Sequence, residues 1–165
     1  MSRLRRRSHD TRSELHKEFA QVDEIISLAL SADDIAIAAY LQSLAVIRLS
    51  GAMESSTAQM INCFLDENTS FRVLNFSKVQ ARRLKSMNAS NLEDLVGSFD
   101  KGWRETLSRY LEEDENRNSL NNLIGARHAL AHGGGSRISS SLVREYRDVA
   151  KGTVDILQEM FIPIR

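Results

Sequence analysis

The residues best suited to chemistry lie within one short segment, NLIGARHALAHGGGS, which spans residues 122–136. It contains two of the chain's four histidines, His128 and His132, together with Arg127. Arg127 stands where the helical pattern calls for an apolar residue, so its guanidinium should project toward a bundle interior or a cleft. An arginine beside a group that titrates near neutral pH suits a phosphodiester, because Arg holds non-bridging oxygens while His moves a proton.

Each of these residues also has a structural interpretation. A buried guanidinium needs a partner, and Glu54, on a polar stripe with Ser50 and Thr57 of the preceding long helix, is the candidate carboxylate. Arg127 therefore either forms a structural ion pair or binds a ligand anion. His132 precedes three glycines, which make room for a ligand but are also typical of a glycine C-cap with a histidine at the helix C-terminus.

Two other kinds of chemistry are disfavoured. His128 and His132 are spaced i, i+4, as metal ligands on a helix often are, but no third ligand is evident and the adjacent Arg127 would repel a cation. Cys63 sits in an apolar helix, and the sequence contains neither a nucleophile elbow nor a Gly-rich phosphate loop. We therefore expect no metal and no cofactor.

Composition narrows the class further. The chain has 165 residues, 42% hydrophobic and 27% charged, as expected for one folded domain rather than a disordered segment. A single cysteine cannot form an internal disulfide. Lys plus Arg equals Asp plus Glu, 22 each, so overall charge attracts neither nucleic acid nor membrane. No apolar run is expected to approach a membrane span, and the predicted location is cytoplasmic.

The elements that must position the motif are all predicted to be helices, forming an all-α, up-and-down bundle. Residues 1–10 are predicted to be a flexible basic N-terminus and residues 11–165 a single helical domain. The first helix is predicted to begin at Thr11, with Glu14 completing a capping box. A long apolar helix is predicted over residues 33–64 and a loop over 66–77, followed by a short basic helix that contains Lys78, Arg82, Arg83 and Lys85. One helix is predicted from a Ser90/Glu93 capping box through Tyr110. The next predicted helix ends at the glycines, and the last starts within Ser139 to Ser141.

In this context the chain resembles the HEPN superfamily. Arg127, four intervening residues and His132 match its R-x4-6-H motif, with a polar residue after the arginine and a glycine after the histidine. The segments FDKGW at 99–103, SLNNLIGARHALAHGGGSRIS at 119–139 and LVREYRDVAKGTVDIL at 142–157 resemble the RiboL-PSP-HEPN type. The resemblance covers residues 33–161.

The resemblance implies a HEPN-type helical bundle with additional short helices, which commonly dimerises, and a metal-independent endoribonuclease of toxin–antitoxin or defence systems. It implies Arg127 and His132 as the catalytic pair. His128, often Asn in relatives, and Glu54, which would orient Arg127, are accessory. The expected partners are an RNA substrate, a second copy of the chain, and an antitoxin or defence-system protein. The alternative is a non-catalytic HEPN-like module that dimerises or binds nucleotides or RNA.

The five-residue spacing raises a geometric problem. On an ideal helix it turns through about 500°, which leaves Arg127 and His132 roughly 140° apart. Either the last turn unwinds toward the glycines or two subunits arrange their motifs around a shared cleft, and we expect both. His132 would then deprotonate a 2′-hydroxyl while Arg127 stabilises the transition state, giving 2′,3′-cyclic phosphate ends.

Overall fold

The computed structural model describes residues 3–68, 86–134 and 138–163, with side chains from Asp10 onward. This part of the chain contains six helices and no strand, so the all-α prediction is confirmed. The helices are α1 (Arg3–Ser31), α2 (Ile35–Asn68), α3 (Ala89–Gly97), α4 (Lys101–Glu112), α5 (Asn116–Ala131) and α6 (Ser140–Phe161).

The long helix α2 is the centre of the bundle, and α1, α5 and α6 all pack against it. The Arg147–Asp23 ion pair, with both hydrogen bonds at 2.8 Å, ties α6 to α1. Hydrogen bonding to Asp23 raises the pKa of Arg147, although burial of the guanidinium opposes this effect. At the C-terminal end of α2, rings from three helices and the α3–α4 turn meet at centroid distances of 5.0–6.3 Å: Phe64, Phe99, Trp103 and Phe161.

Three predicted boundaries are corrected. Helix α1 begins at Arg3, and Thr11 lies inside it, because arginine favours helix and a threonine need not end one. Residues 66–68 belong to α2 rather than to a loop. The single helix predicted from Ser90 through Tyr110 is two helices, because Asn88 caps α3 and Asp100 accepts the Trp103 N–H at 3.0 Å to begin α4.

Other boundaries agree with the sequence. Asp34 accepts N–H bonds at the start of α2, α4 ends within the acidic run, and Ser139 caps α6. The predicted basic helix with Lys78, Arg82, Arg83 and Lys85, and the rest of the loop before it, lie outside the described residues.

One described helix, α2, is long and apolar enough to cross a membrane by length and composition alone. This corrects the expectation that no apolar run approaches a span. The helix buries twelve side chains within the bundle, yet only 28% of its most apolar window is buried. Ile37, Tyr40 and Ile47 remain 55%, 74% and 42% exposed. Their spacing places them on one side of α2, hereafter the α2 apolar face.

Candidate active site at the end of α5

Helix α5 carries the whole motif, and its buried side fixes its orientation. Ser119, Leu120, Leu123 and Ile124 are buried in the bundle. The turn before α5 places Asp114 and Glu115 at φ values of 45° and 64°, a left-handed conformation that reverses the chain tightly. With one side of α5 fixed against the core, the polar residues near its C-terminus must point along its flanks.

The C-terminus of α5 is closed by a Schellman motif. Gly133 adopts φ 75° and its N–H donates to the Leu130 carbonyl at 3.2 Å, while the Gly134 N–H donates to the Ala129 carbonyl at 2.8 Å. A Cβ on Gly134 would lie 2.9 Å from that same carbonyl oxygen. The last turn is therefore hydrogen-bonded, whereas it was expected to unwind. Gly133 and Gly134 donate their N–H groups to the carbonyls that end the helix.

Arg127 lies against α2, as the sequence pattern indicated. Its Nη2 atom is 3.7 Å from Oε2 of Glu54, and the two side chains are 35% and 36% exposed. This is an ion pair longer than a hydrogen bond, between groups still in contact with water. The guanidinium is therefore only partly buried. The predicted partner is correct, but Ser50 and Thr57 of the supposed polar stripe are fully buried.

His132 is the C-cap residue of α5 and its side chain is exposed. Among the described residues only its backbone forms hydrogen bonds, with the N–H shared between the carbonyls of His128 and Ala129 at 3.2 Å each. Its backbone conformation, φ −99° and ψ 16°, stays close to helical. Arg127 and His132 therefore remain on different sides of the same helix, because the turn between them is retained.

His128 points away from Arg127, toward a groove that the sequence did not reveal. This open depression of about 460 Å³ lies between α5 and the start of α3. It is lined by Ser86, Asn88, Ser90, Arg117, Asn121, Ile124, Gly125 and His128. The only sequence signal was the recurrence of 117, 121, 124, 125 and 128 on one side of α5.

An ion pair at the base of this groove connects α5 to α3. Arg117 donates to both carboxylate oxygens of Glu93, at 2.6 and 3.0 Å, and Ser108 donates to the same carboxylate at 2.7 Å. The hydrogen bond from Arg117 holds the pKa of Glu93 below its ordinary value, against the opposing effect of burial. The predicted Ser90/Glu93 capping box is replaced by this pair, and Asn88 is the cap.

A metal site at these residues would need further ligands. Within residues 3–68, 86–134 and 138–163, no three His, Cys, Asp or Glu side chains form a group able to hold a metal ion. The site therefore contains the Arg127 guanidinium and, five residues further along α5, the exposed His132 imidazole. A groove with hydrogen-bonding groups lies beside them.

An all-helical bundle is the fold of HEPN domains. The RiboL-PSP-HEPN family model matches residues 10–162, and the chain belongs to this family. A search of curated proteins and a search of solved structures each returned no match.

Proposed function

We propose that this protein is a metal-independent endoribonuclease that cleaves RNA to 2′,3′-cyclic phosphate ends. The observation that carries the proposal is the solvent exposure of the two motif residues, Arg127 and His132. Arg127 is positioned by Glu54 at 3.7 Å yet remains one-third exposed, and His132 is exposed at the helix end. Both groups are therefore accessible to a phosphodiester. Membership of a HEPN-type family supports an RNA-related function.

The chemistry needs only these groups and the RNA. A neutral His132 imidazole takes the proton of a ribose 2′-hydroxyl, and the 2′-oxygen forms a bond to the adjacent phosphorus. The bond from phosphorus to the 5′-oxygen breaks, and that oxygen takes a proton from water or from an imidazolium. Arg127 stabilises the charge that develops on the non-bridging oxygens. The products are a 2′,3′-cyclic phosphate and a 5′-hydroxyl.

A homodimer supplies the geometry that one helix cannot. Because the Schellman motif retains the last turn of α5, one chain holds Arg127 and His132 on different sides, and a second copy can bring its motif to the other side of the cleft. The α2 apolar face is the proposed contact. Glu54 follows Ile47 by seven residues, two helical turns along the same side of α2, so a partner on this face lies beside Arg127.

The biological role that we propose is that of a cytoplasmic toxin or defence effector, held inactive or activated by a partner protein such as an antitoxin. The second candidate function is a non-catalytic dimerisation module or a nucleotide- or RNA-binding module. The exposed α2 apolar face favours association as strongly as it favours a composite active site.

The test is cleavage of a cellular RNA pool by the purified chain in the presence of a chelator, with fragment ends mapped. The proposal expects cyclic phosphate ends from the wild type and none from His132→Ala, whose exposed side chain can be truncated without loss of packing. Fragments with 3′-hydroxyl ends, or activity that the chelator abolishes, would contradict it. Absence of cleavage by folded wild-type dimers would favour the non-catalytic module.

A further inference from the structure

The groove between α5 and α3 is an open depression that combines apolar and polar lining groups. Its volume of about 460 Å³ lies within the range of small-molecule sites. Gly125 forms part of its wall, and a Cβ built there would meet nothing within 4 Å. Ile124 adds an apolar surface, while hydroxyl, amide and imidazole groups surround it.

Two of the lining amides are locked in one orientation by backbone N–H groups. The Asn121 Oδ1 accepts the Ala89 N–H at 3.0 Å, and the Asn88 Oδ1 accepts the Asn91 N–H at 2.9 Å. This bond fixes which end of each amide is the oxygen, so the NH₂ group of each amide is available as a donor. Among the described residues, neither NH₂ group donates a hydrogen bond to protein. The groove thus offers two amide NH₂ groups as free donors.

The guanidinium in the lining is already neutralised. The Arg117 guanidinium forms an ion pair with Glu93 and donates to its two carboxylate oxygens at 2.6 and 3.0 Å. A phosphate would have to compete with that carboxylate for Arg117. Uncharged donors beside an apolar surface instead match the edge and face of a nucleobase. Guanine O6 and uracil O4 offer a carbonyl oxygen where adenine and cytosine carry an amino group.

The groove adjoins the motif residues. His128 lines it and is the chain neighbour of Arg127, and His132 follows one turn further along the same side of α5. We propose that the groove binds a guanine or uracil base of the RNA strand, at the nucleotide next to the cleaved phosphate, and so sets the sequence preference of cleavage. This inference rests on the proposed ribonuclease function for its position relative to the phosphate.

The binding test does not depend on cleavage. The side-chain NH₂ signals of Asn121 and the backbone amide signal of Gly125 are followed by NMR during titration with each of the four nucleoside 3′-monophosphates. We expect the guanosine and uridine nucleotides to shift these signals and to bind about fivefold more tightly than the adenosine and cytidine nucleotides, the effect of one additional hydrogen bond. Inorganic phosphate should leave the signals unchanged, and equal binding of phosphate or of all four nucleotides overturns the proposal.

A variant that fills the groove is compared with a control variant that carries the same substitution outside it. A Cβ at position 125 meets nothing within 4 Å, so Gly125→Leu projects a side chain into the open groove. It should weaken nucleotide binding about tenfold, because the side chain occupies the space of the base. Asn122→Leu introduces the same side chain at an exposed position of α5 outside the groove, and binding should be retained. If Gly125→Leu fails to fold, Gly125→Gln is the second variant that fills the groove. Unchanged binding by a folded variant that fills the groove would contradict the proposal.

Cleavage of a random-sequence RNA pool then separates the two proposals. With both correct, the wild type shows a guanine or uracil preference beside the cut, Gly125→Leu loses it, and Asn122→Leu keeps it. Cleavage whose base preference is unaffected by Gly125→Leu overturns the groove assignment and leaves the ribonuclease standing. Base-selective binding without any cleavage overturns the ribonuclease and with it the placement beside a cleaved phosphate.

Discussion

Arg127 of α5 and Glu54 of α2 form an ion pair whose nearest charged atoms are 3.7 Å apart and whose side chains are both about one-third exposed. A structural ion pair that held the bundle together would have a shorter distance between its charged atoms and less exposure to solvent. The geometry is instead that of a carboxylate that orients a guanidinium while leaving it free to meet an anion.

The first prediction follows from that geometry. Arg127→Gln should change the free energy of unfolding by no more than about 1 kcal/mol, since exposed ion pairs contribute little, while RNA cleavage should fall by at least about 100-fold, as on loss of a group that stabilises transition-state charge. Urea unfolding and cleavage rates measure the two effects.

Glu54→Gln is the matched variant for this pair. It keeps a hydrogen-bonding oxygen beside Arg127, so cleavage should drop less than in Arg127→Gln and stability should again change little. A fall in the melting temperature on replacing Arg127 as large as that from a core truncation would mean that the pair is structural.

The second prediction concerns Glu93 and pH. Its pKa in the folded chain lies below the ordinary value of 4.5, chiefly because Arg117 donates to the carboxylate. A carboxyl whose pKa is lower folded than unfolded stabilises the fold above its unfolded pKa, and that stability disappears as the pH falls through the folded pKa. Acidification below about pH 4.5 should therefore remove this contribution.

Glu93→Gln tests the sign. At pH 7 it should lower the free energy of unfolding by about 2 kcal/mol, the usual size of a charge-assisted hydrogen bond. The difference from wild type should shrink as urea unfolding is repeated at successively lower pH between 6 and 3. A difference that stays constant over this range would show that the ionised carboxylate contributes nothing to the fold.

The third prediction concerns the contact of α4 with α6. A Cβ on Gly152 would overlap the Tyr110 Oη, and that hydroxyl donates to the Val149 carbonyl at 3.3 Å. Gly152→Ala should therefore displace the ring and destabilise the fold by about 1–3 kcal/mol, as overpacking usually does. Gly125→Ala, where no atom lies within 4 Å, should be neutral or stabilising by up to about 1 kcal/mol. Thermal unfolding compares the two, and equal melting temperatures would contradict the assigned contact.

Local capping chemistry made some of the helix boundaries predictable. Ser139 at the start of α6 and Gly133 at the end of α5 each satisfy backbone groups that an ordinary helix leaves unpaired, and Arg127 was paired with Glu54 from residue spacing alone. The break at Asp100 was missed because the apolar spacing from Leu95 to Trp103 continues across it, and only the Asp100 side chain, which caps α4, marks the new helix.

The groove could not be predicted because its two walls are far apart in the sequence. Residues 86–90 meet residues 117–128 only after α3 and α5 pack through the Arg117–Glu93 pair. Likewise, the exposure of Arg127 depends on how far α5 stands from α2, which side-chain periodicity does not reveal.

The fourth prediction concerns the α2 apolar face. Tyr40→Glu places a charge on a side chain that is 74% exposed, so the monomer should stay folded while the homodimer dissociates and cleavage is lost. Ala39→Glu, also exposed on α2 but a third of a turn away from that face, should remain a dimer with full activity. Light scattering and cleavage assays report both, and an active Tyr40→Glu monomer would contradict the composite site.

The most direct test of the central claim uses two inactive variants together. Arg127→Ala and His132→Ala carry different affinity tags, are co-expressed, and are purified as the heterodimer alongside each homodimer. If Arg127 of one chain works with His132 of the other, the heterodimer holds one intact pair out of two and should regain about half of the wild-type cleavage, with cyclic phosphate ends, while both homodimers stay inactive. A folded heterodimer as inactive as its parents would contradict an active site shared between two copies of this chain.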